Sequence, residues 1–337
     1  MKKLLAIAVA AALVAPAAAM ADTTLYGKLH ASVGSVKNTI NGASTTTSTV
    51  ESHASRFGVK GATALDNGME ATYGLEYGID LDGEASTSLT SRNTFVGLKG
   101  NFGEVRVGKH DTPAKLATAG QDVFADTYAD MGNIINVDNH RVNNAVAYIN
   151  KFGPVGFAYA HSTNPVGAEA GPNANSAMVN YSNGPWYAGL GLTSVQGQAL
   201  SFPAPATSVA NTPSVAKHVN LGLGYKAEAG HQVNLVLENS KATDGSNTKQ
   251  KAALINGVYK IGNVSLKAQY GEAKDSGYAA GSNGKEKLTT VGADYSLGKK
   301  TSVYLMHSDN KNPSRVTGGV TEGNRSKATA VGLVTEF

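Results

Sequence analysis

The chain has 337 residues with 29 basic and 25 acidic side chains, a formal net charge of +4, and no cysteine. The absence of cysteine excludes a disulfide framework, a thiolate nucleophile and a zinc–thiolate site, and the small net charge does not indicate a nucleic-acid partner. Thirty-nine glycines and fourteen tyrosines accompany abundant Thr, Val and Asn, a composition that favours strands and turns over helices.

Residues 1–21 have the pattern of a cleaved signal peptide. Lys2 and Lys3 form a basic start, Leu4 to Val14 an apolar run, and Ala19-Met20-Ala21 a small-residue cleavage site. An N-terminal anchor helix is the alternative, but the apolar run is shorter than the roughly 18 residues that a membrane-spanning helix needs. We therefore predict export from a bacterial cell and a mature chain of residues 22–337.

The mature chain alternates between apolar and polar positions over segments of about ten residues. From Leu25 to Val33 the odd-numbered residues are apolar or glycine, whereas Tyr26, Lys28, His30 and Ser32 share the other face. The same alternation recurs in Met69–Asp80, Val219–Tyr225, Val233–Leu237, Val264–Tyr270 and Val291–Leu297. A period of two indicates strands with one apolar face and one polar or glycine-rich face.

The connections between these strands alternate in length. Seven short turns rich in Gly, Asn, Pro or Lys occur at Asp66–Gly68, Asn101–Gly103, Asn150–Pro154, Asn183–Pro185, Glu228–His231, Lys260–Asn263 and Gly298–Lys300. Longer polar stretches lie between them, near 38–49, 82–89, 110–139, 163–175, 196–216, 241–249, 274–286 and 309–325. Seven turns and eight loops make fifteen connections, so the chain is expected to form sixteen strands.

These features predict an all-β fold, a transmembrane antiparallel β-barrel of 16 strands with short periplasmic turns and long extracellular loops. Residues 22–337 provide about 20 residues per strand with its connection, and a tilted membrane strand uses roughly 9–11 of them. The last ten residues, "ATAVGLVTEF", also alternate and end on an aromatic side chain. A soluble sandwich or propeller is the alternative, and it would have to bury charges such as Glu70 and Arg56 in its core.

Several motifs follow one another along the mature chain. They are "TLYGK" at its start, "SRFGVKG" (Ser55–Gly61), "SRNTFVGLKGNFGEVRVGK" (Ser91–Lys109), "RVNNAVAY" (Arg141–Tyr148) and the closing "VGLVTEF". Together they resemble the general diffusion porins of Gram-negative outer membranes. The resemblance implies a homotrimer of sixteen-stranded barrels, each a water-filled channel for passive diffusion of small hydrophilic solutes and ions. It also implies contact with lipid and lipopolysaccharide, recognition of Phe337 by the barrel-assembly machinery, and no cofactor or metal.

In this family the third long loop folds into the lumen and narrows it, which assigns residues 110–139 as the constriction loop. Its apolar residues can pack on the inner wall: Leu116, Val123, Phe124, Tyr128, Met131, Ile134 and Ile135. Asp122, Asp126 and Asp130 recur every four residues, so a short helical turn would place them on one side. The alternative is a solvated acidic face without a role in the pore.

The resemblance also assigns a ladder of basic wall residues that faces the acidic loop. By matching motifs, these residues are Lys28, Arg56, Arg92 and Arg141. Alternation supports a lumen position for Lys28 and for Arg56, whose neighbours Phe57 and Val59 take the opposite face. The parity of Arg92 is ambiguous, because it shares a face with the apolar Val96 and Leu98.

A basic wall and an acidic loop would create a field across the narrow point, which favours small polar solutes over apolar ones. Because the predicted cations outnumber the predicted acids, a weak anion preference is expected. A substrate-specific channel for a sugar or an anion is the nearest alternative. An outer-membrane barrel enzyme is a further one, although the sequence contains no H-E-x-x-H, G-x-S-x-G or G-x-x-x-x-G-K-[ST] motif and its eight His are scattered.

Overall fold

A computed structural model describes residues 23–85, 87–136, 141–163, 173–195, 215–242, 249–276, 284–311 and 323–337. The predicted signal peptide (1–21) lies outside the described residues, as do residues 137–139 of the predicted constriction loop and most of the predicted loops 163–175, 196–216, 241–249, 274–286 and 309–325. Among the described residues, no helix is long and apolar enough to cross a membrane.

Strands account for most of the described chain. They are β1 (Thr24–Ile40), β2 (Ala43–Ser52), β3 (Arg56–Ala64), β4 (Glu70–Ile79), β5 (Leu89–Gly100), β6 (Gly103–Asp111), β7 (Arg141–Phe152), β8 (Val155–Thr163), β9 (Asn173–Asn183), β10 (Trp186–Val195), β11 (Val215–Lys226), β12 (Gln232–Ala242), β13 (Lys249–Ile261), β14 (Val264–Ser276), β15 (Lys285–Ser296), β16 (Thr301–Lys311) and β17 (Arg325–Glu336). A short helix, α1 (Pro113–Leu116), and two 3₁₀ turns, Ala119–Gln121 and Met131–Asn133, follow β6.

The strands form one closed antiparallel sheet. The last strand, β17, pairs with β1 from Lys28↔Glu336 to Thr39↔Arg325, so the sheet closes on itself. Strands β2 and β3 both pair with β1 on its other side and are separated only by residues 53–55, so together they make one wall strand. The barrel therefore has the sixteen strands predicted. Closure pairs the backbone groups of the wall strands around the ring, as a membrane barrel requires.

The two faces of the sheet follow the predicted alternation. On β1, Leu25 and Val33 are 56% and 65% exposed on the outside, whereas His30 and Ser32 are buried within the barrel. Exposed apolar side chains recur on the outer face of most other wall strands, for example Val96, Val146, Val291 and Val331. This distribution is that of a lipid-facing wall around a polar interior, because the exposed face is the apolar one.

The first predicted loop, 38–49, is not a loop. Strands β1 and β2 continue through it and are joined by the two residues Asn41 and Gly42, with φ values of 50° and 83°. An Asn-Gly pair with two positive φ angles is the preferred two-residue hairpin turn. The prediction was wrong because the Thr- and Ser-rich flanks are polar on both faces, which hides their strand character. The seven short turns lie at the predicted positions.

The chain terminus closes the barrel at the short-turn end. The Phe337 N–H donates to the Gly27 carbonyl at 3.1 Å, and the Gly27 N–H donates back to the Phe337 carbonyl at 3.3 Å. These bonds extend the β1–β17 ladder to the last residue. Phe337 itself remains about half exposed, at 49%.

Candidate pore constriction

The segment from Thr112 to Asn136, hereafter the inward loop, lies against the inner wall of the barrel. It begins with α1, where the Thr112 hydroxyl accepts a hydrogen bond from the Lys115 N–H at 3.2 Å and Pro113 occupies the first helical position. Both features favour a helix start. The loop is therefore ordered from its first residue, directly after β6.

Side-chain amides of three wall strands hold the backbone of the inward loop. The carbonyl of Ala114 accepts from Asn220 at 2.8 Å, that of Gln121 from Asn256 at 2.7 Å, and that of Ala129 from Gln269 at 2.7 Å. Glycines allow the close approach: a Cβ at Gly191 would lie 2.7 Å from the Ala114 Cα, and one at Gly189 only 2.4 Å from the Ala117 carbonyl oxygen. Glycines on this part of the polar face are thus explained by contact within the barrel.

Two apolar clusters fix the far part of the inward loop. Met131, Ile134 and Ile135 pack with wall residues of β12 to β15, including Val236, Leu254 and Leu288. Phe124 and Ala129 pack with Tyr304, Met306 and Ala330, and Val123 and Tyr128 lie beside them. Each large buried side chain contributes about 1.5–3 kcal/mol. Leu116, predicted to make such contacts, is instead 41% exposed, because α1 turns it away from the wall.

Asp126 is the acidic residue of the loop that reaches the basic wall. Its Oδ2 lies 2.9 Å from Lys28 Nζ and 3.1 Å from Arg56 Nη1, and those two wall residues are register partners on β1 and β3. Burial alone would raise the pKa of Asp126. The two cations lower this pKa by more than burial raises it, so that it falls from 3.8 to about 2. Asp126 therefore carries a full negative charge at neutral pH.

Asp122 and Asp130 point back into the loop. The Asp122 carboxylate accepts from the N–H groups of Phe124 and Met131, both at 2.8 Å. Asp130 accepts from the Gly132 N–H at 2.7 Å and the Asp126 N–H at 2.8 Å. Burial and the neighbouring Asp130 raise the pKa of Asp122. These two carboxylates hold the turns that present Asp126.

The prediction of a helical turn over residues 122–130 was wrong. This stretch forms successive turns, and Asp126 has a φ of +58°, which interrupts any helix. The carboxylates of Asp122 and Asp130 compete for backbone N–H groups and so favour turns over a helix. The three acids consequently do not share a face, and the spacing of four residues has no structural meaning here.

A β-bulge decides the position of Arg92. On β4 and β5, Leu75 pairs with Thr94 and Tyr77 with Ser91, so Arg92 and Asn93 together lie opposite Glu76. The extra residue shifts the alternation by one. Arg92 therefore points inward, where its Nε lies 2.6 Å from Glu76 Oε1, while Val96 and Leu98 stay on the lipid face. This resolves the ambiguous parity of Arg92.

Arg141 lies at the start of β7, beside the root of the inward loop. Its Nη2 is 2.8 Å from Asp111 Oδ1, its Nε donates to Asn93 Oδ1 at 3.0 Å, and Lys115 of α1 is 3.3 Å from the same Asp111 oxygen. Two cations thus share one carboxylate, as Lys28 and Arg56 share Asp126. The four predicted wall cations all contact carboxylates inside the barrel: Lys28 and Arg56 bind Asp126, Arg92 binds Glu76, and Arg141 binds Asp111.

Two further charged pairs that the motif comparison did not assign lie on the inner face of the wall. Arg106 binds Glu104 on β6, with 2.7 Å between Nε and Oε1. Lys267 on β14 binds Asp294 at 2.9 Å and lies 4.7 Å from the centre of the Phe124 ring. The alternation alone could have found Lys267, which lies between the outward Leu266 and Ala268.

The fold and this charged interior define a transmembrane β-barrel channel: lipid-type side chains cover the outside, and charges surround an inward loop within the barrel. Among the described residues, no group of three or more metal-ligating side chains occurs. The arrangement can bind and orient ions and polar solutes by charge. Passage of such solutes requires no covalent chemistry.

Comparisons with known proteins give the family. The sequence profile described as Gram-negative porin matches residues 6–314, and the chain belongs to this family. The chain is 30% identical over 333 residues to a major outer membrane protein P.IB of Neisseria gonorrhoeae, covering 90% of this chain and 92% of that protein. It is 28% identical to outer membrane porin protein 32 of Delftia acidovorans, covering 98% of each.

Solved structures agree on the fold. An OmpF structure from Salmonella typhi superimposes with a TM-score of 0.71 at 15% identity, covering 94% of this chain and 97% of that chain. The trimer form of OmpT from Vibrio cholerae gives 0.66 at 16% identity, with 94% and 99% covered. The protein is therefore an outer-membrane porin of a Gram-negative bacterium, a channel for passive diffusion rather than an enzyme.

Proposed function

We propose that small hydrophilic solutes and ions cross this barrel through a charged constriction between the inward loop and the wall formed by β1 and β3 to β7. The observation that carries the proposal is the contact of Asp126 with both Lys28 and Arg56, which fixes the loop inside the barrel. Fixed charges at a narrow point order water and favour polar over apolar solutes.

We further propose a weak preference for anions. Eight cations lie close to the inward loop and its root: Lys28, Arg56, Arg92, Arg106, Lys109, Lys115, Arg141 and Lys267. Five carboxylates pair with cations of this set: Glu76, Glu104, Asp111, Asp126 and Asp294. Three more, Asp122, Asp130 and Glu238, accept hydrogen bonds from backbone N–H groups of the inward loop. Lys109 has no carboxylate within 4 Å in the described part of the chain. When the three carboxylates that bind the loop backbone are set aside, eight cations face five carboxylates, and this positive excess raises the local concentration of anions.

The reversal potential of single channels in a planar bilayer tests this preference. With a tenfold KCl gradient, the expected sign is that of a channel more permeable to chloride than to potassium. A clear cation preference would refute the anion proposal but leave the diffusion channel intact. Saturable block of the current by a sugar would instead indicate a substrate-specific channel.

We also propose that this protein is exported and assembled in the same way as other porins of its family. Residues 1–21 are removed, the barrel-assembly machinery recognises Phe337, and three barrels associate. The trimer is supported by the trimer form of the related fold from Vibrio cholerae, and the role of Phe337 by its exposed ring at the closing seam. Deletion of Phe337 should lower the yield of assembled, heat-resistant oligomer in the outer membrane. An unchanged yield would exclude this residue as the signal.

A further inference from the structure

Two of the eight histidines meet behind the tip of the inward loop. His30 of β1 is 1% exposed, and His53, which lies between β2 and β3, is 7% exposed. Their ring centroids are 4.9 Å apart, with an angle of 44° between the ring planes. We call these two residues the histidine pair. Strand pairing brings them together, and their spacing in the sequence gives no sign of the contact.

A β-bulge turns His53 towards His30. Between its pairs with β3 and its pairs with β2, strand β1 contributes two residues, whereas the other side contributes three, residues 53–55. The Ser55 hydroxyl fills the break, because it accepts from the His30 N–H at 2.9 Å and donates to the His30 carbonyl at 3.0 Å. Ala54 has a φ of +48°, a conformation that costs energy for a residue with a Cβ. Strained backbone of this kind is concentrated at functional sites.

Tyr128 of the inward loop covers His53. The two rings meet edge to face, with centroids 5.0 Å apart and planes at 81°. Gly34 of β1 leaves room for the tyrosine, because a Cβ at this position would lie 3.0 Å from Tyr128 Cε2. The tip of the loop therefore rests directly on one member of the histidine pair.

The other member supports the loop through Tyr304. The His30 and Tyr304 rings also meet edge to face, with centroids 5.5 Å apart. Phe124 and Ala129 of the inward loop pack on Tyr304 in the apolar cluster described above. Both imidazoles thus lie between the wall and the tip of the loop.

The hydrogen bonds of the histidine pair suit neutral rings. His53 Nε2 bonds with the Ser32 hydroxyl at 2.7 Å, and His30 Nε2 with the Tyr304 hydroxyl at 2.9 Å. His30 Nδ1 is buried and has no hydrogen-bond partner among the described residues. A charged imidazole has two N–H donors, so one donor of a charged His30 would lack an acceptor in the described chain.

The charges around the histidine pair can balance one added proton but not two. They come from β1, β2, the residues after β4, the inward loop and β14, and two neutral phenols lie beside them: Lys28, Glu51, Asp82, Asp126, Lys267, Tyr128 and Tyr304. Asp126 already binds two cations, and Asp82 accepts a backbone N–H at 2.7 Å. Glu51 can therefore balance one imidazolium. A second imidazolium would lie beside the first and would also face Lys28 and Lys267, and like charges this close disfavour double protonation.

We propose that His53 and His30 are positioning residues, which hold the tip of the inward loop against the wall at neutral pH and release it in mildly acidic solution. Release exposes the pair to the water of the lumen, where both rings can be charged. The detached conformation then binds one proton more than the attached one. Histidines that must stay neutral stabilise the attached conformation above the ordinary histidine pKa of about 6.5, and this stabilisation is lost as the pH falls below it.

The expected effect follows from uptake of that one proton. At pH 5.5, about one unit below the ordinary pKa of histidine, the equilibrium should shift about tenfold towards the detached conformation. Asp126 does not titrate in this range, because its pKa is about 2. Its contacts with Lys28 and Arg56 weaken only below about pH 4, so the two effects occur at separate pH values.

Thiol accessibility at the loop tip measures detachment. The chain has no cysteine, so Ala129→Cys introduces a single thiol at a position that is 0% exposed while the loop is attached. Thr46→Cys, on the exposed β1–β2 hairpin, is the reference that corrects for the effect of pH on thiol chemistry. For the porin in liposomes, the ratio of maleimide modification rates at 129 and 46 should rise about tenfold from pH 7.5 to pH 5.5. A constant ratio would overturn the proposal.

Histidine variants in the same two cysteine backgrounds test the pair itself. His30→Gln/His53→Gln keeps a hydrogen-bonding side chain at both positions but cannot take up a proton, so the rise should disappear. His307→Gln is the matched control and should keep the rise, because this ring is exposed on β16 and bonds with the Thr329 hydroxyl at 2.8 Å. A rise that persists in the double variant, or is lost in the control, would contradict the proposal. His53→Gln alone gives the same test if the double variant does not assemble.

Solute entry separates this inference from the charged constriction on which it rests. In liposome swelling, larger sugars should enter faster at pH 5.5 than at pH 7.5 through the wild type, and equally fast at both through the double variant. A porin that conducts ions but shows no acid response at residue 129 would overturn the positioning role alone. Unchanged sugar entry in a porin whose residue 129 has become accessible would overturn the constriction itself, and the proposal with it.

Discussion

Replacing Asp126 by Asn tests the link between the inward loop and the wall. The substitution removes one negative charge at nearly constant shape. Asn also tolerates the positive φ of +58° at this position, so the backbone is not strained, as it would be with Ala. Lys28 and Arg56, only 16% and 25% exposed, lose their common partner.

The size of the effect follows from the pKa of Asp126. A fall from 3.8 to about 2, at about 1.4 kcal/mol per pH unit, means that the bound conformation gains about 2 kcal/mol from the charged carboxylate. That free energy corresponds to about a thirtyfold change in the equilibrium between the conformation with the loop tip attached to the wall and the one with it detached. Because the pKa is lowered, this stabilisation is complete above about pH 4 and is lost as the pH falls towards 2.

Ion selectivity should change as well. A unit charge about 5 Å from a passing ion in water contributes about 0.8 kcal/mol. Its loss favours anions and disfavours cations, so the ratio of anion to cation permeability should rise several-fold at low salt. The change should shrink in concentrated salt, because exposed charges are then screened.

Planar-bilayer recordings of the purified porin measure both effects. We expect Asp126→Asn to move the reversal potential towards the anion limit and to increase the open-channel current noise as the loop tip detaches. Asp66→Asn is the matched control, since it removes an exposed carboxylate at the short turn Asp66–Gly68, away from the inward loop. An unchanged reversal potential in Asp126→Asn, or an equal shift in Asp66→Asn, would refute the reasoning.

Three further changes test other parts of the site. Arg56→Ala combined with Arg141→Ala should move the reversal potential towards cations and speed the entry of larger sugars in liposome swelling; unchanged selectivity would remove both residues from the constriction. Glu76→Gln frees Arg92 from its partner at 2.6 Å and should increase anion preference, whereas a shift towards cations would contradict a lumen position for this pair. Phe124→Ala should weaken packing of the inward loop by about 3–5 kcal/mol, seen as protease cleavage of the loop in the folded barrel; a loop that stays resistant would show that its hydrogen bonds suffice.

Much of the fold could be predicted because a membrane barrel imposes a simple rule on its sequence. Side chains alternate with a period of two, and one face must be apolar while the other is not. That rule gave the wall strands, their number, and the inward position of Lys28 and Arg56. It failed at the β1–β2 hairpin, where both faces are polar and alternation carries no signal.

The charged site was less predictable, because its geometry depends on backbone irregularities. The bulge opposite Glu76 turns Arg92 inward, and no periodic pattern contains that one-residue shift. The positive φ at Asp126 separates it from Asp122 and Asp130, although their spacing is that of a helix.

The sequence alone determined which residue types line the two faces of the wall, because burial in lipid acts on each strand separately. Only the tertiary structure decided which charges meet. Strand register places Lys274 between Lys251 and Lys285, and the path of the inward loop brings Asp126 to Lys28 and Arg56. Contacts between residues distant in the chain depend on register and loop path, and these follow from the packing of the whole barrel.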